Sequence, residues 1–331
     1  MRIISICQAP EFDTMWSDEW VRAIAALGEF TFIDDGRSLG DDKVAALYRA
    51  HDVAIVGWTA RAIPESVAID RGALRYVCSY SGTIRHTVPR AIVEAGVIVS
   101  NWGDLPAAGV AEGAMTLLLA SAHLLPLALQ SQRTGEWGYD ATLSTELADL
   151  AVGVYGCGVV GKRFLDLLRP FGPRVRVFDP YVNDLSDDVE RADSLDDLCA
   201  WSEALVVHAG LSEETNRSLG APQFARLRDG AIVVNTARGG IIDQDALVAE
   251  LVAGRLRAGI DVLEPESLAP DHPLRQLDNV ILTFHQISGG SWPPRPGLKA
   301  IQRRVIEQLE RFGRGEMPQW TFDVARYDRS T

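Results

Sequence analysis

The chain has 331 residues, 47% of them hydrophobic and 23% charged, with 32 basic against 45 acidic side chains and a formal net charge of −13. This is ordinary globular composition, long enough for two domains at roughly 150 residues each, and it excludes disorder, collagen and coiled coil. The acidic balance repels nucleic-acid phosphates and anionic membranes while leaving room for a local basic pocket that holds a small anion, so neither nucleic acid nor membrane is expected as a partner.

In chain order, the opening MRIISICQAP reads as a strand and not as a secretion signal. Short β-branched runs over 2–6, 53–58, 74–80 and 97–101 alternate with amphipathic stretches over 19–27 and 44–50, whose apolar spacing is close to 3.6. Such alternation predicts right-handed βαβ units around a parallel sheet. A long helix is expected over 107–134, ending before Gly135; it is apolar nearly all the way round, which predicts burial between domains or between subunits. Its greasiest part, 114–129, contains Thr116, Ser121, His123 and Pro126 and falls short of the ~20 residues a bilayer requires.

A second series begins at Leu150, with strands over 151–155, 174–178, 204–208, 231–235, 258–263 and 280–283 and helices that include 159–168 and 244–253. The last helix, over 297–312, and the tail beyond it can pack back on the first domain, so the domains need not be contiguous. Cys7, Cys78, Cys157 and Cys199 are too scattered for a zinc knuckle or a redox pair and too few to staple such a chain. No cluster has metal-ligand spacing, so no metal is expected, and the compartment is read as reducing and cytoplasmic.

The sharpest local signal is Gly156-Cys157-Gly158-Val159-Val160-Gly161, directly after the strand AVGVY and before a helix, with Asp179 ending the next strand. Gly156 permits the tight turn, Gly158 lets a pyrophosphate approach the backbone, and Gly161 lets the helix pack close to its strand. The helix N-terminus supplies free N–H groups for the phosphates. Asp179 accepts hydrogen bonds from ribose hydroxyls and repels a 2′-phosphate, and Pro180, Tyr181 and Val182 bring no arginine, which favours NAD over NADP.

Three later segments end strands with Arg238 (VNTARGGIID), with Glu264 and Glu266 (GIDVLEPE) and with His285 (NVILTFH). In an open parallel sheet, ligands sit beyond the carboxyl ends of the strands, so these residues converge on the side where the glycine loop lies.

These four motifs, in this order and spacing and joined by Val110-Ala111-Glu112, resemble the NAD-dependent D-2-hydroxyacid dehydrogenases from about Val97 to Gln308. The resemblance implies an α/β fold of two Rossmann-like domains. One is a flavodoxin-like substrate domain over 1–100 plus 291–331; the other is an NAD-binding doubly wound parallel sheet over 101–290. It implies a homodimer and a small 2-oxo or 2-hydroxy acid as substrate. Arg238 matches the arginine that grips the 2-oxo acid, its planar fork suiting a carboxylate. His285 matches the acid–base residue that protonates the carbonyl oxygen as hydride arrives from NADH. Glu266 matches the carboxylate that orients His285 and stabilises its protonated form; it is preferred to Glu264 because the family's glutamate lies five positions after the equivalent of Asp261. Asp261 then holds the nicotinamide carboxamide. Thr236, Ala237, Ala209, Gly210 and Thr215 match cofactor-lining positions, with His208 a weaker candidate.

The substrate loop departs from the family pattern. Where a glycine-rich stretch usually holds the substrate carboxylate on its N–H groups, this chain reads Ser79-Tyr80-Ser81-Gly82-Thr83-Ile84-Arg85-His86. Tyr80, Ser81, Gly82 and Thr83 are its candidates for substrate binding. Trp102 stands where the family has a smaller residue, Phe284 replaces a proline just before the histidine, Ser267 replaces another after Glu266, and the stretch Trp292-Pro293-Pro294-Arg295-Pro296 is particular to this chain. Arg85 or His86 can add positive charge, and Trp102 and Trp292 can shape an aromatic pocket; a place on the outer rim is the competing reading for all four. Alternatives to the dehydrogenase are an NADH-sensing corepressor-like binding protein and a phosphite-type dehydrogenase, whereas formate dehydrogenases carry glutamine where Glu266 stands.

Overall fold

Runs of Val, Ile and Ala form the strands in a computed structural model that describes residues 1–9, 15–135, 144–288 and 298–328. The chain divides into two units, Met1–Leu105 with Ser291–Thr331, and Pro106–Gly290.

The first unit holds β1 (Arg2–Ile6), β2 (Glu29–Ile33), β3 (Val53–Val56), β4 (Tyr76–Ser79) and β5 (Ile98–Ser100) in one parallel sheet of order β2-β1-β3-β4-β5. This is the flavodoxin-like order. The central strands β3 and β4 are buried throughout, which explains their continuous apolar sequences. The sequence reading passes over β2, because EFTFI lies at the sheet edge and is only partly buried. Its Phe30 and Phe32, two apart and so on one face, pack on Trp16. Helix Ala300–Gly313 returns to this unit and packs Val305 and Leu309 among Ile3, Val53 and Tyr76.

In the second unit β6 (Ala151–Tyr155), β7 (Arg174–Phe178), β8 (Glu190–Arg191), β9 (Ala204–Val207), β10 (Ile232–Asn235), β11 (Arg257–Ile260) and β12 (Val280–Leu282) form a parallel sheet of order β12-β11-β10-β9-β6-β7-β8. The order reverses between β6 and β9, which opens a crevice at the carboxyl ends of those two strands. β8 is too short and too polar to announce itself in the sequence.

The expected single helix over 107–134 is two helices, Ala107–Ala122 and Leu125–Thr134, bent by 60°. Pro126 lacks an N–H and fits only a first turn, so the chain breaks at Leu124, which takes φ +55°. The second piece has no buried residue and stops, as expected, at Gly135 with φ +77°. The first piece is buried, but within its own unit. It lies on β10 and β11 and beside helix Val159–Leu168. No single helix among the described residues is long and apolar enough to cross a membrane.

Glycine sets the depth of this packing. A Cβ on Gly259 in β11 would stand 2.7 Å from the Leu117 Cβ, an atom that cannot swing away. Gly259→Ala is therefore expected to destabilise the second unit by about 1–3 kcal/mol, read as a lower midpoint in urea denaturation.

Candidate active site

β6 runs into Gly156 at φ +90°, where a Cβ would lie 2.4 Å from the Ala209 nitrogen. Gly161 is equally constrained, since its Cβ would meet the Gly156 carbonyl oxygen at 2.4 Å. Gly158 is different: it caps helix Val159–Leu168 in extended backbone and faces open space. The loop is thus tight beneath and vacant above, with Gly158 and Val159 exposed and Val160 half-buried at the first turn. Cys157 is buried between these glycines, and burial pushes its thiol up to about 11.

Asp179, at the end of β7, accepts the Cys157 N–H at 2.7 Å and the Tyr181 N–H at 2.9 Å, one on each oxygen, so the carboxylate is clamped against the glycine loop with lone pairs to spare. Pro180, Tyr181 and Val182 bring no arginine, as the sequence shows, but one arrives from elsewhere in the sheet. β8 pairs with β7 and brings in Arg191, whose guanidinium donates to the carbonyl oxygens of Asp179, at 2.9 Å, and of Val182. Sequence proximity misses it because the neighbour arrives from the next strand.

Across the crevice, His208 N–H donates to the Tyr155 carbonyl at 2.7 Å and sets the end of β9 beside β6. The imidazole lies on Phe164, 5.0 Å between ring centroids. The residue as a whole is half-buried, yet both ring nitrogens are sealed off with no partner among the described residues. Burial pushes its pKa down to about 3. Ala209 is half-buried and Gly210 exposed. Thr215, half-buried, closes its own loop, its hydroxyl donating to the Gly210 carbonyl at 2.6 Å and accepting the Ser212 N–H at 2.7 Å. Thr236, by contrast, is 6% exposed with its hydroxyl oxygen buried and unpartnered among the described residues.

Arg238, Glu266 and His285 follow the neighbouring strands β10, β11 and β12. Asn235 shapes the first turn: its amide donates to the Arg238 carbonyl at 2.9 Å and accepts the Ala237 N–H at 3.0 Å. A Cβ on Gly239 would overlap the Leu263 carbonyl carbon at 2.1 Å, so this turn lies directly against the one that carries Glu266. Arg238 is half-buried and its guanidinium donates to the Ala237 carbonyl at 2.7 Å; burial lowers its pKa, partly offset by the Glu266 carboxylate. Glu266 Oε1 lies 2.7 Å from His285 Nδ1, both side chains substantially exposed. Glu264 makes no such contact; its N–H donates to the Gln244 side chain.

Asp261, 3% exposed, anchors the histidine turn. Its Oδ1 accepts the Thr283 hydroxyl at 2.6 Å and the N–H groups of Gln286 and Ile287 at 2.9 and 3.0 Å, and its carbonyl accepts the His285 N–H. This anchoring is additional to the cofactor contact implied by resemblance. Phe284 and His285 both take left-handed backbone, φ +50° and +59°. Proline holds φ near −65°, so the proline usual before this histidine is incompatible with the turn found here.

In the first unit, Tyr80, a candidate substrate contact, is fully buried: its ring packs on Trp16, Trp20 and Trp58, and a Cβ on Gly57 would overlap it. Ser81 is buried as well, its hydroxyl donating to the Thr83 carbonyl at 2.8 Å. Gly82 and Thr83 are half-buried. Arg85 is committed to the end of helix Val324–Asp328, with the Tyr327 carbonyl at 3.1 Å and the Asp328 carbonyl as partners. His86 is exposed. The stretch from Trp292 to Pro296 lies outside the described residues.

A doubly wound sheet with a glycine turn at its switch point, open around Gly158, and with a buried Thr236 hydroxyl past the end of β10 that has no partner among the described residues, fits a dinucleotide and defines a dinucleotide-binding protein. The profile of the D-isomer specific 2-hydroxyacid dehydrogenase NAD-binding domain matches residues 115–286, and the chain belongs to that family. It is 37% identical to D-3-phosphoglycerate dehydrogenase of Methanocaldococcus jannaschii over 69% of this chain and 43% of that protein. It is 36% identical to hydroxypyruvate reductase of Thermotoga maritima over 65% and 71% of the two chains. The crystal structure of TT0316 protein from Thermus thermophilus is similar with a TM-score of 0.76 and 27% identity, covering 97% of this chain and 99% of that one. The chain spans less than half the length of the first D-3-phosphoglycerate dehydrogenases it matches, 43% and 38%.

Two outcomes follow from the geometry. An unfolded chain takes up a proton that the buried His208 refuses, so stability falls as pH drops from 6.5 toward about 3, by up to about 1.4 kcal/mol per pH unit. His208→Leu removes that part of the slope, as measured by urea denaturation at successive pH values. Phe284→Pro cannot keep its positive φ and destabilises the second unit by more than about 1 kcal/mol, seen as a lower melting midpoint.

Proposed function

We propose that the chain is an NAD-dependent oxidoreductase that interconverts a 2-oxo acid and a D-2-hydroxy acid. The observation that carries this reading is the Glu266–His285 contact of 2.7 Å, standing with Arg238 at the carboxyl ends of three adjacent strands. NADH, when bound, supplies the hydride. Gly156, Gly158 and Gly161 with the first turn at Val159 and Val160 hold its phosphates, Asp179 its ribose, and Ala209, Gly210, Thr236 and Ala237 line its path. Arg238 grips the carboxylate and polarises the carbonyl, its partial burial strengthening the charge interaction. His285 gives its proton to the carbonyl oxygen, and Glu266 fixes the ring so that the other nitrogen points to substrate. An exposed ion pair contributes at most about 1 kcal/mol to stability, so the value of this one lies in orientation. Asp261 adds a contact to the nicotinamide amide beyond its structural bonds.

NAD is preferred to NADP because Asp179 is clamped beside the ribose site, while Arg191 is spent on backbone carbonyls. Four free cysteines suit a cytoplasmic protein. A homodimer is supported by Leu125 and Leu129, 47% and 43% exposed on a helix with no buried residue.

The test is NADH consumption against a panel of 2-oxo acids. His285→Ala is expected to lower kcat by roughly 10²–10⁴-fold while NADH still binds, measured by fluorescence titration. Tight NADH binding with no turnover on any 2-oxo acid would favour the sensor reading instead.

A further inference from the structure

Glu266 lies in the connection between β11 and β12, and its side chain is 62% exposed. Little holds its backbone. Glu264 donates its N–H to the Gln244 side chain, but Pro265, Glu266 and Ser267 make no backbone hydrogen bond among the described residues. An exposed carboxylate on such a stretch can take several rotamers, and its 2.7 Å contact with His285 needs one of them.

The next two carbonyls are gripped by one side chain. Arg275 donates from Nη2 to the Leu268 carbonyl and from Nε to the Ala269 carbonyl, both at 3.0 Å. The place of Arg275 is set in turn by its own neighbours. It ends the short turn Pro273–Arg275, at whose start the His272 ring accepts the Leu274 N–H at 3.3 Å. The His272 N–H donates to the Ala269 carbonyl at 3.1 Å, and the Arg275 N–H to the His272 carbonyl at 3.0 Å. Leu268 and Leu274 enter the same core and pin both ends of this bight.

The same guanidinium meets the histidine turn. Its central carbon lies 5.0 Å from the centroid of the Phe284 ring, within the ~6 Å reach of a cation–π contact. Phe284 is exposed and directly precedes His285 in the left-handed turn. Asp261 fixes the backbone of that turn from within, and Arg275 covers its ring from the solvent side. Arginine suits both tasks, because a planar fork bonds carbonyls along its edge and offers a flat face to a ring.

We infer that Arg275 is a positioning residue that fixes Glu266 and His285 relative to one another. It holds the first through two carbonyls of its loop and the second through Phe284, so the pair keeps its geometry although neither side chain is buried. The inference rests on the dehydrogenase reading above and deepens it.

Arg275→Met keeps the apolar stem and removes the guanidinium. The full chain is assayed with NADH and whichever of pyruvate, hydroxypyruvate, glyoxylate and phenylpyruvate it reduces fastest. Arg275→Met is expected to lower kcat about tenfold, since a misplacement of about 1 Å costs up to about a hundredfold. KM for the acid, and the NADH dissociation constant from fluorescence titration, should change by less than about twofold. In a Glu266→Gln background, where no carboxylate is left to position, Arg275→Met should lower kcat no further. Phe284→Leu, which removes the ring, should lower kcat in the same direction, and Phe284→Tyr, which keeps it, should match the parent. If Arg275→Met fails to fold, as judged by its melting midpoint, the Phe284 pair decides in its place. An unchanged kcat overturns the inference and leaves the dehydrogenase reading standing. So does a loss repeated in full in the Glu266→Gln background, or one matched by a loss of NADH affinity. No turnover of any of the four acids by the parent chain with NADH bound overturns that reading first, and the inference with it.

Discussion

Oδ1 of Asp261 takes three donors from one turn, and the position of His285 depends on them. Two successive residues there carry left-handed backbone without being glycine, a cost of about 1–3 kcal/mol each. Hydrogen bonds to a charged acceptor contribute about 1.5–3 kcal/mol apiece, so a single buried carboxylate oxygen can hold the strained turn in place. The two adjacent turns use related means. Asn235 bridges its own turn through both ends of its amide, and Gly239 lets that turn lie on the carbonyl of Leu263. The Glu266–His285 contact, exposed and weak in stability, stands on this buried framework.

Much of this was legible in the sequence, for reasons that differ from residue to residue. Buried strands announce themselves as apolar runs, and Gly156 and Gly161 stand where backbone approach leaves no other choice. The pairing of Glu266 with His285 was implied by the family resemblance, and the two side chains do meet at 2.7 Å. The sequence reading failed where a neighbour comes from elsewhere in the sheet. β2 and β8 sit at edges, where half-exposure erases the apolar signal, and Arg191 reaches Asp179 only because β8 pairs with β7. The internal contacts of Thr215 and Tyr80, a hydroxyl on the Gly210 carbonyl and a ring on Trp58, have no signal in the sequence. The break at Leu124 was written in Pro126 and overridden by the apolar pattern around it.

The chain carries a large negative charge, yet the chemistry proposed for it handles anions. Arg238 reconciles the two: withdrawn from solvent by the fold, its charge acts at short range, where neither the surface potential nor salt screens it well. Such a site recruits anions by fit and by local field, not by long-range steering.

Cys157, enclosed between the glycines of the phosphate turn, has a consequence for chemical durability. A thiol reacts with peroxides and alkylating agents as its thiolate, and burial with Asp179 nearby holds this one in the protonated form far above neutral pH. A sulfur atom at the heart of the nucleotide site is thereby kept chemically silent, and the turn can tolerate oxidising stress that would disable a protein whose cofactor loop exposed a reactive cysteine.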